Sequence, residues 1–171
     1  GRAIEIKENP HPNRVEPKCK VFGTCGGCAM QHLDHKSQIE FKDKLLFQLL
    51  EHQKVFPKNE LEPLSANPWG YRHKARIGVK HVPKKGGVLV GFRENDGRFI
   101  TNMDSCPILA PQIGENIGLL KEFIFSLDAK ASIPQIEVAI TEDQTALIFR
   151  HLEDLSKTDQ EKLCDLGKDN N

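Results

Sequence analysis

The stretch that decides the fold reads Arg72-His73-Lys74-Ala75-Arg76-Ile77-Gly78-Val79-Lys80-His81. Apolar and basic side chains alternate along it, with the period of two that predicts a half-buried β-strand. One face should meet the core and carries His73, Ala75, Ile77 and Val79. The other face should meet solvent and carries Arg72, Lys74, Arg76, Gly78 and Lys80.

The chain on either side of this strand predicts an α+β fold, with helices packed on an antiparallel sheet and a cysteine-rich knuckle. Lys84–Gly87 and Asn95–Gly97 have turn composition, so further strands are expected at Val88–Arg93 and Arg98–Thr101. Two more are expected around Ile136–Ile140 and at Thr145–Arg150. The predicted helices are Ser37–His52, with a Ser37/Glu40 capping box, Pro111–Leu127, and Ser156–Leu166, ended by Gly167. No Rossmann fingerprint is present.

The composition predicts a soluble, cytoplasmic protein. The 171 residues have a formal net charge of zero and are 38% hydrophobic, and no apolar run approaches the roughly 18 residues of a membrane span. The neutral total hides a basic segment, because residues 72–85 hold six Lys or Arg, two His and no acid. A basic face of this kind suits an RNA backbone.

Three of the five cysteines fall within ten residues, in Cys19-x5-Cys25-Gly26-Gly27-Cys28, and Cys106-Pro107 follows far downstream. An odd count without a secretion signal argues against a disulfide framework. Four thiolates suit a [4Fe–4S] cluster, one on each iron. Gly26 and Gly27 would tolerate a positive φ and let backbone N–H groups approach the sulfurs.

Other readings of the cysteines remain open. Structural zinc also takes four thiolates, but it favours two pairs at x2 to x4 spacing, and only one pair here has it. Free thiols or disulfides are a third possibility. A radical S-adenosylmethionine enzyme would need a tighter run of three. Cys164 is expected to be a partly buried helix thiol, and His32 and His35 packing or surface residues.

The basic strand is a candidate RNA track, because its cations should stand about 6–7 Å apart, close to the spacing of phosphates. Tyr71 beside it is a candidate platform for an unpaired base, while Trp69 is expected to anchor the core. The alternative is an ordinary solvated sheet face. No metalloprotease, nucleophile-elbow or P-loop motif occurs.

Several segments together resemble the RNA uracil-C5 methyltransferases that carry an iron–sulfur cluster. They are residues 19–32, Pro68–Arg76, Gly91-Phe92-Arg93, Cys106–Pro111 and Ala146–Leu163, in that order. The resemblance covers nearly the whole chain. It implies that residues 1–18 end an N-terminal TRAM domain of OB type and form a linker, and that residues 19–171 form the central iron–sulfur domain. A Rossmann-like methyltransferase domain would follow and is absent from this chain.

The same resemblance implies the chemistry of the parent protein. A cysteine there attacks carbon 6 of uracil, and carbon 5 receives the methyl group of S-adenosylmethionine. This chain would hold no catalytic or cofactor-binding residue and would be inactive alone. Its cluster ligands would be Cys19, Cys25, Cys28 and Cys106. RNA contacts are expected at Arg72, Lys74, Arg76, Tyr71 and Lys80, with 23S rRNA as partner, no membrane, no obligate protein partner and a monomeric state. The rival functions are a ferredoxin-like electron carrier and a zinc-stapled interaction domain.

Overall fold

The computed structural model describes residue 5 and residues 11–85 and 87–169. Residues 1–4 and 6–10 of the segment predicted to end a TRAM domain and form a linker, and Gly86 of the predicted turn, lie outside these residues. The elements are α1 (His35–His52), β1 (Lys74–Val82), β2 (Gly87–Gly91), α2 (Pro111–Gly114), α3 (Ile117–Phe125), β3 (Gln135–Ile140), β4 (Thr145–Arg150) and α4 (Lys157–Asp169).

The four strands form one antiparallel sheet in the order β2-β1-β3-β4. Ile77 of β1 lies opposite Ile136 of β3, and Val79 lies opposite Val90 of β2. This register puts the apolar residues of three strands on one face, where they are buried. The predicted α+β class with an antiparallel sheet is therefore confirmed.

The core lies between that face and α3. Ile117, Leu120 and Ile124 of α3 are buried, as is Ile113 of α2, so the apolar side of the predicted Pro111–Leu127 segment faces the core. Helix α3 packs against β2. His73 was expected in the core, but it is exposed, because β1 begins one residue later, at Lys74.

The third strand of the predicted meander was wrong, since residues 98–101 form no regular strand. The segment still follows the end of β2, because Thr101 N–H donates to the Phe92 carbonyl and Met103 N–H to that of Val90. The Asp96 carboxylate accepts from the backbone and side chain of Arg98, which holds the preceding turn away from strand geometry. Strand β2 likewise ends at Gly91, not Arg93.

The single helix predicted over Pro111–Leu127 is two helices. Asn116 N–H bonds to the Ile113 carbonyl and its side-chain amide donates to the Gln112 carbonyl, which closes α2 with a tight turn. Gly118 N–H then donates to the Asp104 carbonyl, outside the helix. Backbone bonds to another segment therefore interrupt a continuous apolar pattern.

Helix α1 begins two residues earlier than predicted, and the Ser37/Glu40 capping box was wrong. Asp34 is the N-cap, and its Oδ1 accepts from the Ser37 N–H at 2.7 Å. The Ser37 hydroxyl donates to Asp34 Oδ2. No residue of α1 is buried, so the helix lies on the surface of the described chain.

Helix α4 is anchored through a buried carboxylate. Asp159 accepts from the backbone N–H groups of Asp128 and Ala129 at 3.0 and 2.9 Å, which caps a short 3₁₀ helix, Asp128–Ala131. The Ser156 hydroxyl accepts from Asp159 N–H, so Ser156, predicted to begin this helix, caps its first turn. Gly167 does not end the helix, since glycine lowers helix propensity without forbidding it. Among the described residues, none of the helices combines the length and the hydropathy of a membrane span.

Candidate metal centre and adjoining basic face

The segment from Cys19 to Cys28 folds as a series of tight turns. Phe22 N–H donates to the Cys19 carbonyl, and Cys25 N–H donates to that of Val21 at 2.9 Å. Gly23 has a φ of +86°, which favours glycine. The turns bring the ends of the x5 spacing between Cys19 and Cys25 close together.

Backbone bonds hold this segment against the turn after β2. Gly26 N–H donates to the Arg93 carbonyl at 2.9 Å, and Asn95 N–H donates to that of Thr24 at 3.0 Å. The Asn95 side chain adds a 2.7 Å bond to the Gly23 carbonyl. The cysteine segment is therefore fixed against the turn that follows β2.

The role expected for the two glycines needs correction. Neither Gly26 nor Gly27 has a positive φ. A Cβ on Gly26 would lie 3.1 Å from the Arg93 carbonyl oxygen, so lack of space explains that glycine. Gly27 N–H donates to Cys25 Sγ at 3.4 Å, which is the backbone approach to sulfur expected there.

Cys106 comes from a segment distant in sequence and lies near Cys19 and Cys25. Its N–H donates to the Gly114 carbonyl at 2.7 Å. Downstream, the Pro107 carbonyl accepts from Gly70 N–H and the Ile108 carbonyl from Arg72 N–H. The segment after Cys106 is thus hydrogen-bonded to the residues that lead into β1.

All four of these cysteines are free thiols; Cys28 is half-buried and the others are buried. Burial raises the pKa of the Cys19 thiol, and the nearby thiols of Cys106, Cys25 and Cys28 raise it further, against a backbone hydrogen bond at Val21 that lowers it. Burial also raises the pKa of Cys25; the Gly27 N–H opposes this, and Cys28 and Cys106 add to it. Cys19 therefore lies within electrostatic range of the other three.

Two buried polar atoms beside these thiols lack a hydrogen-bond partner among the described residues, namely Gln31 Nε2 and Thr101 Oγ1. Buried donors without acceptors are rare in folded proteins. A buried group of thiols, with spare hydrogen-bond donors around it, fits a sulfur-rich, negatively charged cofactor. No three His, Cys, Asp or Glu side chains in the described ranges form a ready-made site for a metal ion, so the ligand role stays a prediction.

The remaining candidates near the cysteines have ordinary surroundings. The His32 ring packs against Phe22, with centroids 5.8 Å apart, and His35 is the first residue of α1. Cys164 is exposed on α4, so the expectation of a partly buried thiol was wrong. That side of α4 faces solvent.

The basic face of β1 carries Lys74, Arg76 and Lys80, all exposed. The row is interrupted by Glu137 on β3, which lies opposite Arg76. Glu137 forms an ion pair with Arg150 at 2.6 Å and another with Arg76 at 4.0 Å. Lys74 and Lys80 have no acidic partner among the described residues. The sheet face therefore stays net positive, with its free charges at the two ends of the strand.

The other predicted RNA contacts lie at the start of β1. The Arg72 guanidinium stands over the Phe92 ring, 5.6 Å from its centroid, and is half-buried. Tyr71 is 55% exposed. Trp69 packs against the core, as predicted, and Lys18 covers its ring at 5.1 Å. Tyr71, Trp69 and Cys28 line a groove of about 960 Å³ between α1 and residues 57–69.

Sequence reasoning did not single out Gln31, Thr101, Gly114 or Glu137. Gln31 lies three residues after Cys28, the one local signal that could have suggested it. The other three reach the site through contacts between segments distant in sequence, so neither spacing nor periodicity reveals them.

Comparison with known proteins gives strong matches over almost the whole chain. The chain is 45% identical to the 23S rRNA (uracil(1939)-C(5))-methyltransferase RlmD of Alkalilimnicola ehrlichii over 99% of its own length and 38% of the relative's. The proteins of the same name from Vesicomyosocius okutanii and Xylella fastidiosa are 48% and 42% identical, over 95% and 99% of the chain. No protein-family model matches the chain.

These matches confirm the resemblance that the cysteine and proline motifs predicted. The chain spans 37–38% of the length of these three relatives, so the similarity concerns one part of them. Over that part, this chain is a homologue of the 23S rRNA (uracil(1939)-C(5))-methyltransferases RlmD.

Proposed function

We propose that this chain is the iron–sulfur, RNA-contacting part of a methyltransferase that modifies carbon 5 of a uridine in 23S rRNA. The names of the relatives support the substrate and the reaction. The observation that carries the proposal is the approach of Cys106 to Cys19 and Cys25, which themselves lie near Cys28. Methyl transfer itself would belong to the rest of the parent protein.

Cys19, Cys25, Cys28 and Cys106 would each bind one iron of a [4Fe–4S] cluster. When bound, the cluster supplies a rigid link between four chain positions and a compact negative charge. Methylation consumes no electron, so this link is the contribution the reaction needs. It would hold the 19–28 segment against the end of β2 and fix Cys106, and with it the residues that lead into the basic strand.

The RNA would lie along the sheet face. Lys74 and Lys80, which have no acidic partner in the described ranges, offer their charges to phosphates. Arg76 is available in part, because it shares Glu137 with Arg150. Tyr71 at the edge of the groove offers a ring on which an unpaired base can stack. This arrangement favours an RNA module over an electron carrier, which would need no basic face.

Binding of a 23S rRNA fragment that contains the target uridine tests the RNA role. We expect affinity to fall steeply with salt, in proportion to the phosphates contacted. Tyr71→Ala should weaken binding by roughly five- to 150-fold, the equivalent of losing one stacked base. Tyr71→Phe, the matched control, should bind like the wild type because it keeps the ring.

Two results would contradict this proposal. One is an affinity for the rRNA fragment that does not change with salt. The other is equal loss of affinity in Tyr71→Ala and Tyr71→Phe, which would mean that the hydroxyl, not ring stacking, matters. Incubation with labelled S-adenosylmethionine and rRNA should give no methyl incorporation by the chain alone.

A further inference from the structure

Gln31 and Thr101 are buried polar residues with an unused hydrogen-bond donor. Their exposed fractions are 6% and 2%, and neither Gln31 Nε2 nor Thr101 Oγ1 has a partner in the described part of the chain. A donor that leaves water without finding an acceptor destabilises the fold. Both residues lie beside the cysteines proposed to hold the cluster. An acceptor bound at those cysteines would therefore satisfy their unused donors.

The Gln31 amide is oriented by a bond to a cluster cysteine. Its Oε1 accepts from the Cys19 N–H at 3.0 Å. The backbone N–H requires an oxygen at this position, so the orientation of the amide follows from the donor it meets. Since both amide atoms share one carbon, Nε2 is held in the buried space next to Cys19, with its hydrogens available.

The Thr101 hydroxyl approaches the Cys25 thiol from the segment that runs beside the end of β2. It lies close to that thiol but does not complete a hydrogen bond to it. The bond from Thr101 N–H to the Phe92 carbonyl, 2.9 Å long, fixes the backbone. Cys25 Sγ already accepts from Gly27 N–H, so Thr101 would add a second donor.

We propose that Gln31 Nε2 and Thr101 Oγ1 donate hydrogen bonds to the sulfur atoms of the iron–sulfur cluster and its thiolate ligands. This inference rests on the proposed function, because it needs the cluster. The two residues are positioning residues, since they act through the sulfurs and touch no RNA substrate. Donors to sulfur offset negative charge, so they favour the reduced cluster and slow its loss.

Conservative variants separate the donor from the shape of each side chain. Thr101→Val keeps the volume and removes the hydroxyl, and Thr101→Ser restores it. Gln31→Glu keeps the acceptor for Cys19 N–H and removes the donor. Thr145→Val is the matched control, because Thr145 is exposed on β4, outside the cysteine site.

The readouts are the iron and sulfide content of the chain purified without oxygen, the midpoint potential of the cluster, and the rate of iron release to a chelator. For Thr101→Val and Gln31→Glu we expect faster release and a lower potential. A tenfold shift towards the oxidised form corresponds to about 59 mV for one electron. Thr101→Ser and Thr145→Val should behave like the wild type.

The outcomes distinguish this inference from the function on which it rests. If the wild type holds no iron, the cluster is wrong and the inference falls with it. If the wild type holds the cluster and both donor-removing variants keep its potential and release rate, the inference alone is wrong. Should Thr101→Val not fold, as judged by circular dichroism, the potential and release rate of Gln31→Glu decide.

Discussion

The N–H of Cys106 donates a 2.7 Å hydrogen bond to the carbonyl of Gly114, and the lack of a side chain at Gly114 makes the approach possible. A Cβ at that position would lie 2.5 Å from the Cys106 carbonyl oxygen and 2.8 Å from that of Leu109. Gly114 is therefore the residue that lets α2 hold Cys106 in place. It links the packing of a short helix to the geometry of the candidate metal centre.

Gly114→Ala should displace Cys106 and reduce cluster occupancy, because the new methyl group meets backbone atoms, which cannot rotate away. We expect a loss of about 1–3 kcal/mol in the free energy of unfolding. Iron per chain after anaerobic purification is the measurement. Gly118→Ala is the control, since its Cβ would meet nothing closer than 3.7 Å. Full iron content in Gly114→Ala would contradict the link.

Asp159→Ala should destabilise the chain by about 2–4 kcal/mol, because two backbone N–H groups bonded to a buried carboxylate would lose their acceptor. Asp159→Asn keeps one acceptor oxygen and should cost less. Chemical denaturation followed by circular dichroism measures both. Glu161→Ala, at an exposed position of α4, should change stability little. Equal effects of Asp159→Ala and Glu161→Ala would count against the anchor.

Helix α1 should lose stability in acid through its cap. The Ser37 N–H holds the pKa of Asp34 below its ordinary value. The folded state therefore favours the carboxylate, so the contribution is present above the unfolded pKa, about 3.9, and is lost as the pH falls through the lower folded value. Hydrogen exchange in α1 measured across that range should show this opening.

Asp34→Asn is the matched variant for that experiment, because asparagine also caps helices but does not titrate. It should remove the part of the acid dependence that comes from Asp34, while the helix stays capped. Asp34→Ala should raise exchange in α1 at all pH values. An acid response that is the same in the wild type and Asp34→Asn would show that another group is responsible.

Lys74→Ala and Lys80→Ala should each lower the salt dependence of rRNA binding. Each lost phosphate contact reduces the slope of log affinity against log salt by about 0.7–0.9. Arg76→Ala should have a smaller effect, since Arg76 shares Glu137. Lys157→Ala on α4 is the control. Unchanged slopes in both lysine variants would mean that the sheet face does not carry the RNA backbone.

Much of this fold follows from local patterns, and its exceptions have physical causes. The alternation of Ala75, Ile77 and Val79 with lysine and arginine predicted β1 and its buried face correctly. The apolar period through Pro111–Leu127 predicted the buried residues but not the break, because the break comes from Gly118 bonding to Asp104. Periodicity reports which side is buried, and it carries no information on bonds to distant segments.

The candidate site, like the fold, could be predicted only in part from the sequence. The spacing of Cys19, Cys25 and Cys28 predicted a knuckle from local sequence, and the family resemblance implied Cys106 as the fourth ligand. The partial neutralisation of Arg76 depends on the register of β1 and β3, which sets Glu137 opposite it. Such cross-strand pairs need the sheet order, which composition and charge runs do not provide.

Iron and acid-labile sulfide per chain, measured after purification without oxygen, test the central claim most directly. The account predicts four irons and four sulfides in the wild type and in Cys164→Ser, whose cysteine is exposed on α4. It predicts loss of most of that iron in Cys106→Ser. One zinc per chain in the wild type, or equal iron in Cys106→Ser and Cys164→Ser, would contradict it.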